Sequence, residues 1–173
     1  LEIKAHSNAS AASGVFVNGH VSIEDTRAYN IRHIGHHNAK TDSKSLTAYD
    51  VSLNNCLALN PKFNGVYPGS TPRALVISAY RNVSVNNFTA IGTSDFGILE
   101  DGKLDKKQPA IAVQFMAENI SFNNINVRNF KNADVDIRLF GGSNRPSRVS
   151  LNNINIWNSS NNIGIGVGGS IND

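Results

Sequence analysis

Cysteine, net charge and long apolar runs are all scarce in this sequence, and each scarcity excludes a class of protein. The one cysteine, Cys56, excludes an internal disulfide and a cysteine-rich metal site. The formal net charge is only +3, and the Lys and Arg residues form no basic stripe of the kind that nucleic-acid binding needs. No apolar run approaches the roughly 18 residues of a membrane-spanning helix. We therefore expect neither a nucleic-acid nor a membrane partner.

Helical and targeting patterns are also missing. No segment combines a helical apolar period with capping residues, so the sequence predicts no helix. The opening residues, LEIKAHSNASAASG, lack a charged region followed by an apolar run, so they predict no signal peptide. With 40% apolar and 17% charged residues, the composition is that of a single folded domain, 1–173.

What the chain has in excess is asparagine, and it occurs in a repeated phrase. There are 25 Asn residues in 173, and Asn favours turns because its short amide bonds nearby backbone and tolerates left-handed conformation. The phrase occurs five times, as VSIEDTRAYN, VSLNNCLALN, VSVNNFTAIG, ISFNNINVRN and VSLNNINIWN. These are repeats 1 to 5, which begin at Val21, Val51, Val83, Ile120 and Val149, at spacings of 30, 32, 37 and 29 residues.

The pattern inside each repeat predicts strands. A β-branched residue, Ser, an apolar residue and two polar residues are followed by apolar-polar alternation, and the polar pair is Asn-Asn in four of the five copies. Alternation with a period of two predicts two short strands with a turn at the Asn pair. A unit of this kind cannot bury its apolar face alone, whereas stacked copies bury it continuously.

We therefore favour a coil of parallel strands in which equivalent residues stack from copy to copy. The Asn that ends four of the five repeats would then form a ladder of side-chain amides along the coil. An antiparallel sandwich is the alternative, but a sandwich would not need the same turn residues at the same place in every copy.

The stretches VSLNNCLALNPKFNGVY and ISFNNINVRNFKNADVDI resemble rungs of right-handed parallel β-helix proteins of the pectate-lyase-like class. This class includes secreted polysaccharide lyases and glycoside hydrolases, epimerases and phage tailspike depolymerases. The resemblance extends from about Val15 to the end of the chain. It implies an all-β, right-handed, single-stranded parallel β-helix of about five rungs of roughly 30 residues. No catalytic signature of one family can be transferred residue by residue. Both ends lack the caps that such a coil needs, which predicts a segment of a longer β-helix.

The stacked register predicts which side chains face inwards. One predicted inner column is Thr26, Cys56, Phe88, Ile125 and Ile154, and a second is Ala28, Ala58, Ala90, Val127 and Ile156. Cys56 is therefore expected to be a small buried apolar residue and not a nucleophile.

The predicted outward column is unusually apolar for a solvated face. It holds Tyr29, Leu59, Ile91, Arg128 and Trp157, with Leu57 beside it. Three explanations stay open: a covering loop of the same chain, a subunit contact that would make a homotrimer through Leu57, Leu59 and Ile91, or a sugar platform that uses Tyr29 and Trp157.

The candidate catalytic and substrate-binding residues lie in segments that interrupt the repeat. In DVDIRLF, Asp134, Asp136 and Arg138 are spaced two apart, so they would share an outer strand face. The alternative is a solvated face with weak ion pairs. If Gly35, Gly65, Gly97 and Asp134 occupy equivalent positions, adjacent rungs of the same sheet also supply four further residues. These are Glu100 and Asp101, which otherwise belong to a surface loop, together with Tyr67 and His37.

These residue types fit the cleavage of a glycosidic bond. A hydrolase needs one carboxylic acid to protonate the leaving oxygen and one carboxylate to activate water or attack carbon, roles for Asp134, Asp136, Glu100 and Asp101. A lyase needs a base and a cation near a uronate, roles for Arg138, Tyr67 and His37. Trp157 would contact the sugar. No metal site is expected at the His-rich stretch 33–37, because a third convergent ligand is missing.

We expect an extracellular or virion-surface protein that binds and degrades a polysaccharide, as a glycoside hydrolase, a lyase or a tailspike-type depolymerase. The alternative is a non-catalytic β-helical stalk or adhesin module that binds glycan or spaces other domains. No cofactor is expected, with Ca²⁺ left open for a lyase. The functional expectation rests on fold-level resemblance.

Overall fold

The computed structural model describes residues 2–4, 13–15, 21–29, 32–34, 48–59, 73–78, 80–92, 109–114, 117–130, 135–139, 147–159 and 163–167. These residues form fourteen strands and no helix. The strands are β1 (Glu2–Lys4), β2 (Ser13–Val15), β3 (Val21–Glu24), β4 (Arg27–Tyr29), β5 (Arg32–Ile34), β6 (Ala48–Asn54), β7 (Leu57–Leu59), β8 (Leu75–Ser78), β9 (Tyr80–Ile91), β10 (Ile111–Gln114), β11 (Glu118–Arg128), β12 (Val135–Leu139), β13 (Ser147–Trp157) and β14 (Ile163–Val167). Across these ranges, no helix is long and apolar enough to cross a membrane.

The strands form three sheets. In the first sheet, β1, β4, β7, β9, β11 and β13 lie side by side in that order, and β3 and β6 join it through β9. In the second sheet the order is β14, β12, β10, β8, and β2 pairs with β5 in the third. Every pairing among the described strands is parallel. The parallel stack is thus confirmed for this part of the chain, and the antiparallel sandwich is wrong.

The register of the first sheet is the one that the repeats predict. Val21 pairs with Val51, Val51 with Val83, Val83 with Ile120 and Ile120 with Val149. Each strand therefore lies one whole repeat from its neighbour. A slip of one residue would turn every apolar side chain to the opposite face, so the shared alternation holds the register.

The apolar core lies between the first and second sheets. The predicted inner positions are buried: Cys56 is 2% exposed, and Phe88 and Ile125 are 0% exposed. The second sheet contributes inward residues to the same cluster, namely Leu75, Ile77, Ile111, Val113 and Ile137. Thr26, the polar member of the inner column, is 2% exposed, and its Oγ1 donates to the Glu24 carbonyl oxygen at 3.1 Å.

One sequence-based alignment in the second sheet is wrong. The repeat spacing predicts that the strand 135–139 stacks on the segment that holds Glu100 and Asp101. In the structure the two neighbours of β12 are β10 and β14, with Ile137 opposite Ile111 on one side and Ile165 on the other. The physical reason is that Ile111, Ala112 and Val113 are apolar at every position and 0% exposed, as a parallel strand covered on both faces requires.

Candidate functional site

The residue at the turn in each repeat adopts a left-handed backbone, and it is Asn in four of the five repeats. The second residue of the polar pair has a positive φ in every repeat: Asp25 (48°), Asn55 (55°), Asn87 (53°), Asn124 (57°) and Asn153 (52°). Asn and Asp accept this conformation more readily than other residues with a Cβ. The strand bends at this point, and β9 and β11 run through the bend as single strands.

The side chains at this bend form a hydrogen-bonded ladder. Asn87 Nδ2 donates to Asn55 Oδ1 at 3.0 Å, and Asn124 Nδ2 donates to Asn87 Oδ1 at 3.0 Å. Asn153 Nδ2 continues the ladder to Asn124 Oδ1 at 2.6 Å. Because parallel strands place identical residues one above another, each amide finds both a donor and an acceptor in its neighbours.

Further ladders run beside this one. The first Asn of each pair forms a ladder through Asn54, Asn86, Asn123 and Asn152, with Nδ2 to Oδ1 distances of 2.9, 3.0 and 3.4 Å. At the end of the repeat, the predicted ladder is present where Asn158 Nδ2 donates to Asn129 Oδ1 at 2.5 Å. Repeat 3 has Gly92 in this column, which interrupts it.

A further ladder lies just before repeats 2 to 4. Asn82 Nδ2 donates to Asp50 Oδ1 at 2.7 Å, and Asn119 Nδ2 donates to Asn82 Oδ1 at 2.7 Å. All three residues have a positive φ, as does Arg148 in the same column. In the sequence, this ladder is indicated by the position two residues before the repeated Ser. That position holds Asp, Asn, Asn and Arg in repeats 2 to 5.

An ion cluster joins three repeats on the outer surface. Glu118 accepts from Arg81 Nε at 2.8 Å and also pairs with Arg148 Nη2. The Arg81 and Arg148 side chains are 50% and 68% exposed. Exposed pairs of this kind contribute little stability, because water and salt screen them.

Asp136, a predicted catalytic carboxylate, lies in a different environment from the one expected. The sequence placed it on an outer strand face, but it is 1% exposed, and the Ser159 hydroxyl donates to its Oδ1 at 2.7 Å. Ser159 follows β13, so this hydrogen bond joins two successive repeats. A buried carboxylate that accepts a hydrogen bond from the next repeat can hold a corner of the stack.

Arg138 is half-buried and lies in register with Ala112 and Gly166. Val76 follows Ala112 in the same row, and these two residues are 1% and 0% exposed. The second sheet is therefore covered on both faces at these positions. Arg138 lies at the margin of a covered surface and not in the middle of an open sheet.

Trp157 lies on the predicted outward column and is 42% exposed. The column has the expected register, because Leu59 pairs with Ile91, Ile91 with Arg128 and Arg128 with Trp157. The Arg128 guanidinium carbon lies 5.7 Å from the centre of the Trp157 ring, within cation-π distance. Within the described part of the chain, the buried Nε of Arg128 has no hydrogen-bond partner.

The remaining predicted site residues lie outside the described residues: Asp134, Glu100, Asp101, Tyr67 and His37. Their roles stay predictions. Among the described residues, no group of three or more His, Cys, Asp or Glu side chains is close enough to hold a metal ion.

Cys56 is buried and free, and burial raises the pKa of its thiol above the ordinary value of 9.0. Such a thiol is a poor nucleophile at neutral pH, in keeping with its predicted role in the core.

Comparison with known proteins finds phage-related homologues along nearly the whole chain. It is 46% identical over 171 residues to the phage-related protein YobO of Bacillus subtilis (strain 168), which covers 99% of this chain and 20% of that protein. It is 38% identical over 172 residues to the pre-neck appendage protein of Bacillus phage phi29 and 40% identical over 172 residues to that of Bacillus phage B103. Each of these two matches covers 99% of this chain and 19% of the appendage protein.

The chain thus spans about a fifth of the length of the curated relatives that it matches. No protein-family model matches it, and no solved structure matches it. The comparisons therefore show that the relatives of this chain include phage pre-neck appendage proteins. The described part of the chain is all-β, and its strands pair in parallel.

Proposed function

We propose that this chain is a rigid β-helical segment of a phage-type appendage, which spaces other parts of the appendage and presents a glycan-binding surface at the virion exterior. The observation that carries the proposal is the run of side-chain ladders through repeats 2 to 5, in the same register as the strands. Ladders of this kind stiffen the stack along its length. The appendage relatives support the location.

The fold part of the proposal is that the sheets close into a right-handed parallel β-helix. The support is a shared core: inward residues of the second sheet, such as Ile111 and Ile137, belong to the same apolar cluster as Phe88 and Ile125 of the first sheet. The chain also passes from one sheet to the other in every repeat that is described on both sides. The right hand is the preferred hand for parallel connections.

The position of Asp136 favours binding of a glycan over cleavage of a glycan. A general acid or nucleophile must reach the glycosidic bond, and the 1% exposure of Asp136 with its bond to Ser159 gives it a structural role instead. Trp157 has the opposite character, because an exposed aromatic ring can stack on a sugar ring. We therefore place glycan contact at Trp157 and Arg128.

The experiment is incubation of the protein with a panel of bacterial and plant polysaccharides, followed by assays of binding and of cleavage. We expect retained glycan without new reducing ends and without unsaturated-product absorbance. We also expect Trp157→Ala to weaken binding at least tenfold, while Trp157→Phe retains most of it. New product ends that disappear in Asp134→Asn and Asp136→Asn would instead establish the depolymerase, with Glu100, Asp101, Tyr67 and His37 tested next.

The homotrimer through Leu57, Leu59 and Ile91 is a separate part of the proposal. These side chains are half-buried in the outward rows of the first sheet, where a solvated surface would be polar. Sedimentation of the wild type and of Leu59→Asp tests it. A trimer that dissociates in the variant supports the contact, and a monomer at all concentrations contradicts it.

A further inference from the structure

The last repeat has a face that differs from all the others, and we call it the repeat-5 face. It consists of the sides of β13 and β14 that point away from β11 and β12. Among the described strands, β13 pairs only with β11 and β14 pairs only with β12. Among the described strands, none pairs with the main-chain donors and acceptors along this face, which are the groups that another parallel strand would use.

The apolar residues of this face are uncovered compared with their counterparts. Ile165 is 41% exposed and Val167 is 59% exposed, whereas Ile137, which pairs with Ile165, is 0% exposed. The inward residues of β13 are only half-buried, while their partners in β11 are at most 1% exposed. These half-buried residues are Val149, Leu151, Ile154 and Ile156. Because residue type and register match, the difference comes from a neighbour on one side only.

The side-chain ladders have a direction, and that direction makes the repeat-5 face chemically distinct. Asp50 Oδ1 is a carboxylate oxygen and can only accept, so Asn82 must donate to it and must offer its own Oδ1 to Asn119. The ladders through the Asn pair run the same way, with each Nδ2 donating to the preceding repeat. The same ladder columns contain acidic residues in repeat 1, where Glu24 pairs with Asn54 and Asp25 follows it.

The two ends of the ladders are therefore opposite in kind. Acceptor-only carboxylates occupy the end towards which the amides donate. At the other end, the outermost groups of the ladders that reach repeat 5 are the Oδ1 atoms of Asn152, Asn153, Asn155 and Asn158, whose Nδ2 atoms already donate to repeat 4. The column of Asp50 ends instead in Arg148. A partner on the repeat-5 face must supply hydrogen-bond donors to these amide oxygens, and a carboxylate there would be repelled.

From this we infer that the repeat-5 face binds a further parallel repeat that donates side-chain N–H groups from Asn at the ladder positions and covers Ile154, Ile156 and Ile165 with apolar residues. The surface continues the interfaces that already join repeats 1 to 5, and it has the same spacing and the same chemistry. The curated relatives are about five times as long as the part that this chain matches, so they have polypeptide from which such a repeat can be built.

The test extends the chain with a copy of its own sequence. A copy of residues 140–167 is joined directly after Val167, in place of 168–173, which preserves the register because Leu139 and Val167 are equivalent. Phe replaces the copied Trp, so Trp157 remains the single tryptophan. The matched control has Asp instead of Asn at the copied positions of 152, 153 and 158. Asn and Asp have the same shape and both tolerate a positive φ, so the pair differs in the donor groups and in the charge of the carboxylates but not in shape.

We expect the Asn extension to shift Trp157 emission to shorter wavelength and to slow amide exchange in β13 by at least about tenfold relative to the unextended chain, as burial and new hydrogen bonds require. The Asp extension should give less than about a third of that protection at pH 7, because three acceptors then face three acceptors. Circular dichroism shows in each case whether the added residues are strand.

Three outcomes would overturn the inference. Equal protection by the Asn and Asp extensions would show that ladder donors do not select the partner. No protection by either would show that this face does not bind a repeat. If exchange in the unextended chain slows with increasing concentration and is restored by Ile165→Asp, the occupant is a second copy of the chain, which also contradicts the inference.

Discussion

At the scale of single residues, the second Asn of each pair has two structural roles. Its backbone takes the left-handed conformation that bends the strand, and its amide both donates and accepts along the ladder. Only Asn has both properties, because Gly lacks the amide and most other residues resist a positive φ. The repetition of Asn-Asn is thus a consequence of stacking and not of catalysis.

Gly92 is required by a close approach in the neighbouring repeat. A Cβ added there would lie 2.8 Å from the Asn129 carbonyl oxygen and 2.9 Å from the ring of buried Phe130. We expect Gly92→Ala to lower the free energy of unfolding by about 1–3 kcal/mol, since neither backbone nor a packed ring can move freely. Urea denaturation measures this change.

The matched control is Gly164→Ala, where the added Cβ would lie 3.2 Å from the flexible end of Ile156. It should change the free energy of unfolding by less than about 1 kcal/mol. Similar losses for the two variants would show that the contact with repeat 4 is not what selects glycine at position 92.

Cys56 should make stability depend on pH in the alkaline range. Burial raises the pKa of its thiol above 9.0 in the folded chain, so the neutral thiol is favoured there. The resulting stabilisation is fully present below the pKa of the unfolded thiol and is lost as pH rises from that value through the folded pKa. We expect the wild type to lose up to about 1.4 kcal/mol per pH unit in this window relative to Cys56→Ala.

The measurement is the difference in unfolding free energy between the wild type and Cys56→Ala from pH 7 to pH 11. Groups common to both proteins cancel in that difference. A difference that stays constant across the range would contradict the burial of the thiol.

At the scale of the elements, a strand of the first sheet is bent, and its two halves face the same core. In repeats 1 and 2 the two halves are separate strands, namely β3 with β4 and β6 with β7. In repeats 3 and 4 the two halves form one continuous strand, β9 and β11 respectively. The bend always falls at the left-handed residue, so strand geometry depends on the same side chains that form the ladder. Backbone bend and amide ladder therefore reinforce each other in every repeat.

Substitutions of Asn87 can separate these two contributions. Asn87→Gly loses two ladder bonds but keeps the positive φ, whereas Asn87→Ala loses the bonds and also strains the backbone. We expect Asn87→Ala to be less stable than Asn87→Gly by about 1–2 kcal/mol. Thermal and urea unfolding of both variants provide the comparison.

Asn126 is the control position for this experiment. It lies in the same strand as Asn124 and accepts from Asn155 Nδ2 at 3.3 Å, but it is not among the residues with positive φ. Here the order should reverse, with Ala more stable than Gly by about 0.5–1 kcal/mol. The same order at both positions would contradict the conformational explanation.

At the scale of the whole molecule, the stack is a linear array in which each repeat contacts its neighbours. Burial is complete in the middle repeats, where Phe88 and Ile125 are 0% exposed, and it is partial in repeat 5. In such an array, stability is a sum over repeats and their interfaces, so the last repeat should open first.

This gradient predicts different costs for one substitution at two equivalent positions. Ile125→Ala should lower the free energy of unfolding by about 2–5 kcal/mol, because it leaves a cavity in a packed interior. Ile154→Ala, at its half-buried partner position, should cost less than half as much. Urea unfolding and amide exchange measure both effects, and equal costs would contradict the gradient.

The repeated phrase alone was enough to assign the register of the first sheet and to identify its inner and outer columns. The phrase is copied at five places, and its period of two assigns each side chain to a face, so a single alignment places Cys56, Ile125 and Trp157 correctly. The terminal Asn ladder also followed from this alignment, since parallel stacking brings equal residues together.

The packing of the segments between the repeats could be established only from the three-dimensional fold. The connecting segments differ in length, so the repeat pattern aligned the strand 135–139 with the segment of Glu100 and Asp101, whereas core packing selects Ile111–Gln114 as its neighbour. The burial of Asp136 against Ser159 depends on that selection, because alternation alone places Asp136 on an outer face. The direction of the ladders is likewise a property of the assembled stack, since an amide can donate either way until a carboxylate such as Asp50 fixes it.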